Sequence, residues 1–437
     1  MRPLSLLTAN PVFPRISTAA SLAVIASILF VGCANEESTG GSENAEFTID
    51  AESAAPASMD EASDSFKFIE PPLTSDEIRE GWISLFDGST LFGWDVPNES
   101  NWHVEDSAIV ADSGDKSLLM TPFRFSDFEL RCDFHLAAGG NSGIFLRCAD
   151  SVTDPSRDTY ELNICDTHAS HKTGSLVGRL AVADVPAVEG AWHTFRVHCE
   201  GARIQVWLDE KAIVDFVDES DAVRLGGTIG LQMNEGRIAF RNVFLKPVQS
   251  RDLFDGQSTS GWNVVPGSKS KFEIVDGSIH VTDGPGFLET TDAFDNFLLH
   301  VEARTNGDGL NSGVFFRAMK GTEEAPSHGY EMQIQNACID GDRTKPADSG
   351  SGAIFRRVAA RYVVADDHEW FTETLIAQGD RIATWVNGYQ VVDWQDTRDD
   401  DDNPRKGRRL AAGHISLQGH DPTTDLNFRV IRISELP

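Results

Sequence analysis

Two short stretches hold the side chains best suited to chemistry. In Tyr330-Glu-Met-Gln-Ile334, strict alternation puts Tyr330, Met332 and Ile334 on one face of a strand, and Glu331 with Gln333 on the other. Tyr160-Glu-Leu-Asn-Ile164 repeats the arrangement, with Glu161 and Asn163 on the polar face. A seven-residue stretch accompanies each: Asn141-Ser-Gly-Ile-Phe-Leu-Arg147 and Asn311-Ser-Gly-Val-Phe-Phe-Arg317, 170 positions apart (311 − 141). There the same period sets Phe315 with Arg317, and Phe145 with Arg147, on one side. A carboxylate, an amide, an aromatic ring and a guanidinium on adjoining strand faces suit a polyol. The ring offers a flat surface to C–H groups, and the polar heads supply donors and acceptors. Asn311 and Asn141, each ahead of Ser-Gly, are placed to cap a turn beside such a site. A plainer reading fits too: a cross-strand Arg–Glu pair on a solvated face, worth little to stability. Spacing does not choose between them.

The elements that position these residues come in duplicate. Phe86-Asp87-Gly88 recurs at Phe254 (254 − 86 = 168), Trp192 and Trp207 recur at Trp370 and Trp385 (370 − 192 = 178), and Leu231-Gln232 recurs at Leu417 (417 − 231 = 186). An offset that is constant within blocks and grows in steps marks a duplicated domain with loop insertions in the second copy. We place repeat 1 at residues 80–247 and repeat 2 at 250–437. Stretches such as Phe128–His135 and Arg203–Leu208 alternate polar and apolar residues, and Asp276-Gly277 and Asn387-Gly388 mark turns. Many short strands per repeat, without helical periodicity, predict an all-β fold of two tandem jelly-roll sandwiches.

Composition narrows the partners. A formal net charge of −31 repels nucleic-acid phosphates and anionic lipid headgroups, so nucleic acid is excluded as a partner. Arg2 and Arg15 precede the apolar stretch 19–31, which is short for a bilayer span and ends in Phe30-Val31-Gly32-Cys33. That pattern predicts residues 1–33 to be an export signal of lipoprotein type, with Cys33 lipidated, although Phe30 stands where Leu is usual. Any membrane association would run through that lipid or anchor, and the folded part would face the periplasm or the cell exterior. Residues 34–70 hold ten acidic residues against one Lys, so we expect 34–75 to be a disordered acidic linker.

Cys132, Cys148, Cys165 and Cys199 allow three disulfide pairings or none, and no cysteine has zinc spacing. The run Asp399–Asp402 raises Ca²⁺ as a ligand, but adjacent carboxylates diverge and EF-hand spacing is absent. A solvated loop is the expectation there, with no cofactor and no metal.

In order, the motifs are FDG, GW, NSGIFLR, YExQI, TGxx, W, WLDE or WVNG, IGLQ and FRN. This order, written twice from Gly81 to Pro437, resembles the 3-keto-disaccharide hydrolase family. The resemblance implies a concanavalin A-like (laminarinase/lectin) fold and cleavage of glycosides whose glucose ring carries a C3 ketone. A C3 ketone acidifies the C2 hydrogen, so a base can start elimination of the aglycone from C1, and water then adds to the enone. Carried over to this chain, Glu331 is the base, Arg317 the clamp for the enolate oxygen, Gln333 a positioning residue and His420 the acid. Arg147, Glu161 and Asn163 are the matches in repeat 1. Repeat 1 departs from the pattern, with Asn163 for Gln and Gln232-Met-Asn234 where repeat 2 has Gln418-Gly-His420, while His168 and His171 sit in a nearby loop. Repeat 2 is therefore the expected active copy on an oligosaccharide or glycoside. A non-catalytic lectin-like protein is the alternative. A two-carboxylate glycosidase is disfavoured, because the matched motifs offer Glu331 no acidic partner.

Overall fold

The computed structural model describes residues 68–149 and 151–437. The export signal, Cys33 and most of the acidic linker lie outside the described residues. The last residues assigned to the linker are packed: Phe68 stacks on Tyr362 with ring centroids 4.4 Å apart. They lead into a short helix, Ser75–Glu80, whose Thr74 and Glu77 form a capping box and whose chain exits through left-handed Gly81.

Each repeat is a sandwich of two antiparallel sheets. In repeat 1 the larger sheet runs in the order Lys211–Val217, Arg203–Leu208, Trp192–Glu200, Phe128–Leu136, Ile238–Pro247, Ala108–Ala111, His103–Glu105. The smaller runs Ser117–Met120, Thr228–Glu235, Asn141–Cys148, Tyr160–Ile164. Repeat 2 keeps this plan. Its smaller sheet is Trp262–Val264, Gly286–Thr290, His414–Gly419, Ser312–Ala318, Tyr330–Ile334, and its second insertion lies between Gln395 and His414. The tandem jelly-roll architecture follows from the alternation. Phe128–Leu136 buries every second side chain against the opposing sheet, with Leu130, Cys132, Phe134 and Leu136 in the core.

The larger sheet of repeat 2 departs from that alternation. Phe371–Gln378 is buried on both faces through Ala377. Its outer face is covered by repeat 1: Leu298, Ile376, Ala383 and Trp385 join the repeat 1 core. Trp385 Nε1 donates to Ser84 O at 2.7 Å, Arg381 pairs with Asp95 at 2.8 Å and Arg361 with Asp87 at 3.0 Å. A Cβ on Gly93 would lie 2.2 Å from Gln390 Oε1, so the chain passes close against this sheet. The repeats therefore share an apolar interface edged by ion pairs.

The five described cysteines are free thiols, with Cys132, Cys148, Cys165 and Cys199 buried. The four buried ones behave as small apolar side chains. Burial pushes the Cys199 thiol up to about 12, which keeps it protonated and unreactive.

Candidate active site

The small sheet of repeat 2 presents a row of polar groups on its outer face. Phe315 stands in register with Glu331 on one side and Ser416 on the other, and Gly313 with Gln333. Gly313 makes room for the carboxylate: a Cβ there would meet Glu331 Cγ at 3.0 Å and Oε1 at 3.1 Å. Glu331 is 5 % exposed, and Arg405 Nη2 lies 3.1 Å from its Oε2. Burial pushes its pKa up, while Arg405 and His420 pull it back toward the charged form. Such a carboxylate holds a proton more tightly than a solvated one, a property useful in a base.

His420 follows Gly419, where a Cβ would clash with Ser270 Oγ at 2.2 Å, so this end of the strand sits tightly on the neighbouring turn. Its Nδ1 faces Asp421 Oδ2 at 2.8 Å, and the imidazole is partly exposed. Asp421 is held down to about 2 by hydrogen bonds from Thr423 and His420. With Nδ1–H given to Asp421, Nε2 is the nitrogen left for exchange with a ligand.

A carboxylate that the motifs did not single out completes the group. Asp348 accepts from Asn311 Nδ2 at 2.6 Å and from Gln333 Nε2 at 3.2 Å, and it raises the pKa of Glu331. It sits in the left-handed region at φ 43°, within the loop that repeat 1 fills with Ser170 and His171. Because both amides point their NH₂ groups at Asp348, Asn311 Oδ1 and Gln333 Oε1 are buried without a partner among the described residues, as is Gln418 Oε1. Three buried acceptors beside two carboxylates form a surface for hydroxyl donors.

Arg317 is not part of this surface. The strand bulges between Phe315 and Ala318, Arg317 adopts φ 45°, and its side chain turns inward. Its guanidinium donates to the carbonyls of Asp295, Gly379 and Arg409 at 2.8, 2.6 and 3.1 Å, and to Asn296 Oδ1 at 3.3 Å. Arg147 does the same in repeat 1 at φ 54°, donating to the carbonyls of Ser126, Gly201 and Arg224 and to Asp127. Both arginines tie loops together at the sandwich end, so neither is placed to clamp a ligand oxygen. Phe315 is fully buried as well, under the Arg405 guanidinium at 5.1 Å and edge-on to Phe287, and Phe145 is buried in repeat 1. Neither ring is an open platform for a sugar.

The second insertion supplies what the motifs lacked. Its Asp400 and Asp402 pair with the insertion's own Arg408 and Arg409, at 2.8 and 3.8 Å. Arg405, from the middle of the same loop, reaches Glu331. In repeat 1 the matching Glu161 is also buried with a raised pKa, offset by Gln232 and Lys116. Asn163 Nδ2 donates to His171 O, and Asn141 Oδ1 is buried without a partner among the described residues. His168 Nδ1 accepts from the backbone of Ser170 and His171, and His171 Nε2 from Gly178 N at 3.2 Å. Those ring nitrogens are engaged with their own loop. Repeat 1 thus keeps the carboxylate and amides, and has Asn234 at the position of His420.

Comparison with known proteins gives partial matches. A 93-residue stretch is 37% identical to a 3-keto-disaccharide hydrolase of Bacteroides thetaiotaomicron, over 18% of this chain and 31% of that protein. The match thus spans about a third of the relative's length. Among solved structures, a candidate glycosyl hydrolase of Parabacteroides distasonis is 21% identical over 41% of this chain and 99% of its own, with a TM-score of 0.37. A carbohydrate binding module of Bacillus subtilis is 20% identical over 35% and 95%, with a TM-score of 0.29. The family of 3-keto-α-glucoside-1,2-lyase-like domains matches residues 81–246 and again 249–434, and the chain belongs to that family as a tandem pair.

Proposed function

We propose that repeat 2 cleaves the glycosidic bond of a 3-keto glycoside by elimination and hydration. Glu331 takes the C2 proton, and the electron pair passes into the C3 carbonyl as an enolate. Arg405, the cation in contact with Glu331, is the group to steady that oxygen. The enolate then expels the aglycone from C1, with His420 protonating the departing oxygen. Water adds to C1 of the enone as it gives a proton to His420, and the proton on Glu331 returns to C2, so both groups are restored and the products are a 3-keto sugar and the free aglycone. The carrying observation is a buried carboxylate with a raised pKa, seated over Gly313 and within electrostatic reach of His420. The unpartnered oxygens of Asn311, Gln333 and Gln418 fit sugar hydroxyls. The test is aglycone release by the purified chain from a 3-keto glucoside and from the same glucoside unoxidised. Release from the keto form alone supports elimination. Equal release from both would point instead to a two-carboxylate hydrolysis through Glu331 and Asp348.

Repeat 1 is read as a carbohydrate-binding module, since its Glu161 and Asn163 persist while Asn234 replaces the acid. The N-terminal pattern supports export with Cys33 as a lipid anchor. Loss of membrane association in Cys33→Ala would support that anchor, and its retention would oppose it.

A further inference from the structure

Next to Glu331 lies a cavity of about 250 Å³ lined by Phe355, Arg356, Arg357, Pro404 and Arg405. Three guanidinium groups share it with one carboxylate, in a chain whose net charge is −31. Among the described residues the Glu331 carboxylate is hydrogen-bonded by Arg405 alone. Arg357 donates to two backbone carbonyls, of Arg356 and Arg405, and Arg356 lies over the Phe355 ring at 5.2 Å. Among the described residues neither has a carboxylate partner.

Repeat 1 shows how this concentration of charge arises. Val177 N donates to Glu161 O and Phe355 N to Glu331 O, which aligns Gly178 with Arg356 and Arg179 with Arg357. Arg179 is neutralised by Asp218 at 2.6 Å. In repeat 2 the matching Asp396 is taken by Arg398 of the insertion at 2.7 Å, which leaves Arg357 without that partner. Burial, with the nearby Arg398 and Arg405, lowers the pKa of Arg357, and Asp396 offsets this in part without bonding to it. Gly178 has φ 73°, whereas Arg356 holds φ 60° at the same turn, a conformation that costs a residue with a Cβ. Repeat 2 thus keeps a strained arginine and, among the described residues, one without an ion pair where repeat 1 has a glycine and an ion pair.

We propose that this cavity is a subsite for an oxyanion carried by the ligand, a carboxylate or a sulfate ester, so that the glycoside bound beside Glu331 is an acidic one. Planar guanidinium groups bind such oxyanions through paired, charge-assisted hydrogen bonds. The inference rests on repeat 2 being the sugar site but not on the elimination chemistry, so it is tested by binding. Titrate the full chain by calorimetry with glucuronate, glucose 6-sulfate and glucose, then repeat with Arg356→Gly and Arg405→Gln. Arg356→Gly restores the residue that repeat 1 uses, so its fold is safe. The subsite predicts at least one acidic sugar binding ~10-fold or more tighter than glucose, a preference reduced by salt and lost in Arg356→Gly. Which acidic sugar binds tighter identifies the oxyanion. Equal binding of all three sugars, or an acid preference untouched by both variants, would overturn it. Acid-selective binding by a chain that releases no aglycone from any keto glycoside would sink the proposed reaction and leave the subsite standing.

Discussion

Arg405 Nη2 stands 3.1 Å from Glu331 Oε2, although the two residues are 74 positions apart and Arg405 comes from a loop that is shorter in repeat 1. The insertion folds its acidic run onto its own arginines and delivers one guanidinium to a buried carboxylate. That contact separates the two otherwise similar sheets, and it gives repeat 2 a base whose charge is adjustable.

The pH dependence follows from this pair. Glu331 must be ionised to act as a base, and burial raises its pKa, so the acidic limb of kcat/KM lies higher than a solvated glutamate would give. Arg405 favours the charged form. Arg405→Gln therefore raises the pKa further, and the limb moves to higher pH. A limb that stays in place or moves down would show that Glu331 is not the group titrating.

Gly313 supports Glu331 by having no side chain. Gly313→Ala places a Cβ 3.0 Å from both Glu331 Cγ and Met332 O, and the carboxylate has to shift. Activity should fall at least ~10-fold, as expected when a reacting group is displaced by a fraction of an ångström to 1 Å. Gly143→Ala in repeat 1 meets Leu162 O at 3.1 Å and should leave turnover intact. Equal losses in the two variants would mean that the effect is on folding.

Arg317 is a stability residue. Arg317→Met removes donors from three carbonyls and an amide oxygen in the interior, at a cost of about 3–5 kcal/mol. Chemical denaturation should record that loss, with KM of the remaining folded protein unchanged. A fully stable variant with a raised KM would return Arg317 to the ligand.

The duplication, the strands and the sandwich were legible because a buried sheet face demands period-two alternation, and a repeated order of turn and tryptophan motifs is hard to produce otherwise. Glu331 and Gln333 were legible as polar strand positions for the same reason, and Asn311 as the residue leading into a strand, whereas His420 came only from the family resemblance; the roles of all four are proposals. Arg317 and Arg147 were misplaced because a bulge ends the alternation one residue early. The trace it leaves is indirect: Gly413 and Gly227 oppose the two arginines, where a Cβ would come within 2.3 Å of the backbone of each. Asp348 and Arg405 lay in segments without a matching motif in repeat 1. Their roles depend on how those loops fold back over the sheet, which strand periodicity does not encode. The double burial of Phe371–Gln378 likewise arises from repeat 1 packing on it.

The most direct measurement compares Glu331→Gln with Glu161→Gln in the full chain, following aglycone release from a 3-keto glucoside. The amide keeps the shape of the carboxylate and cannot accept the C2 proton. Glu331→Gln should lose ~100-fold or more, in line with removal of a general base, and Glu161→Gln should release aglycone at a near-wild-type rate. Unimpaired release by Glu331→Gln, or abolished release by Glu161→Gln alone, would contradict Glu331 as the base.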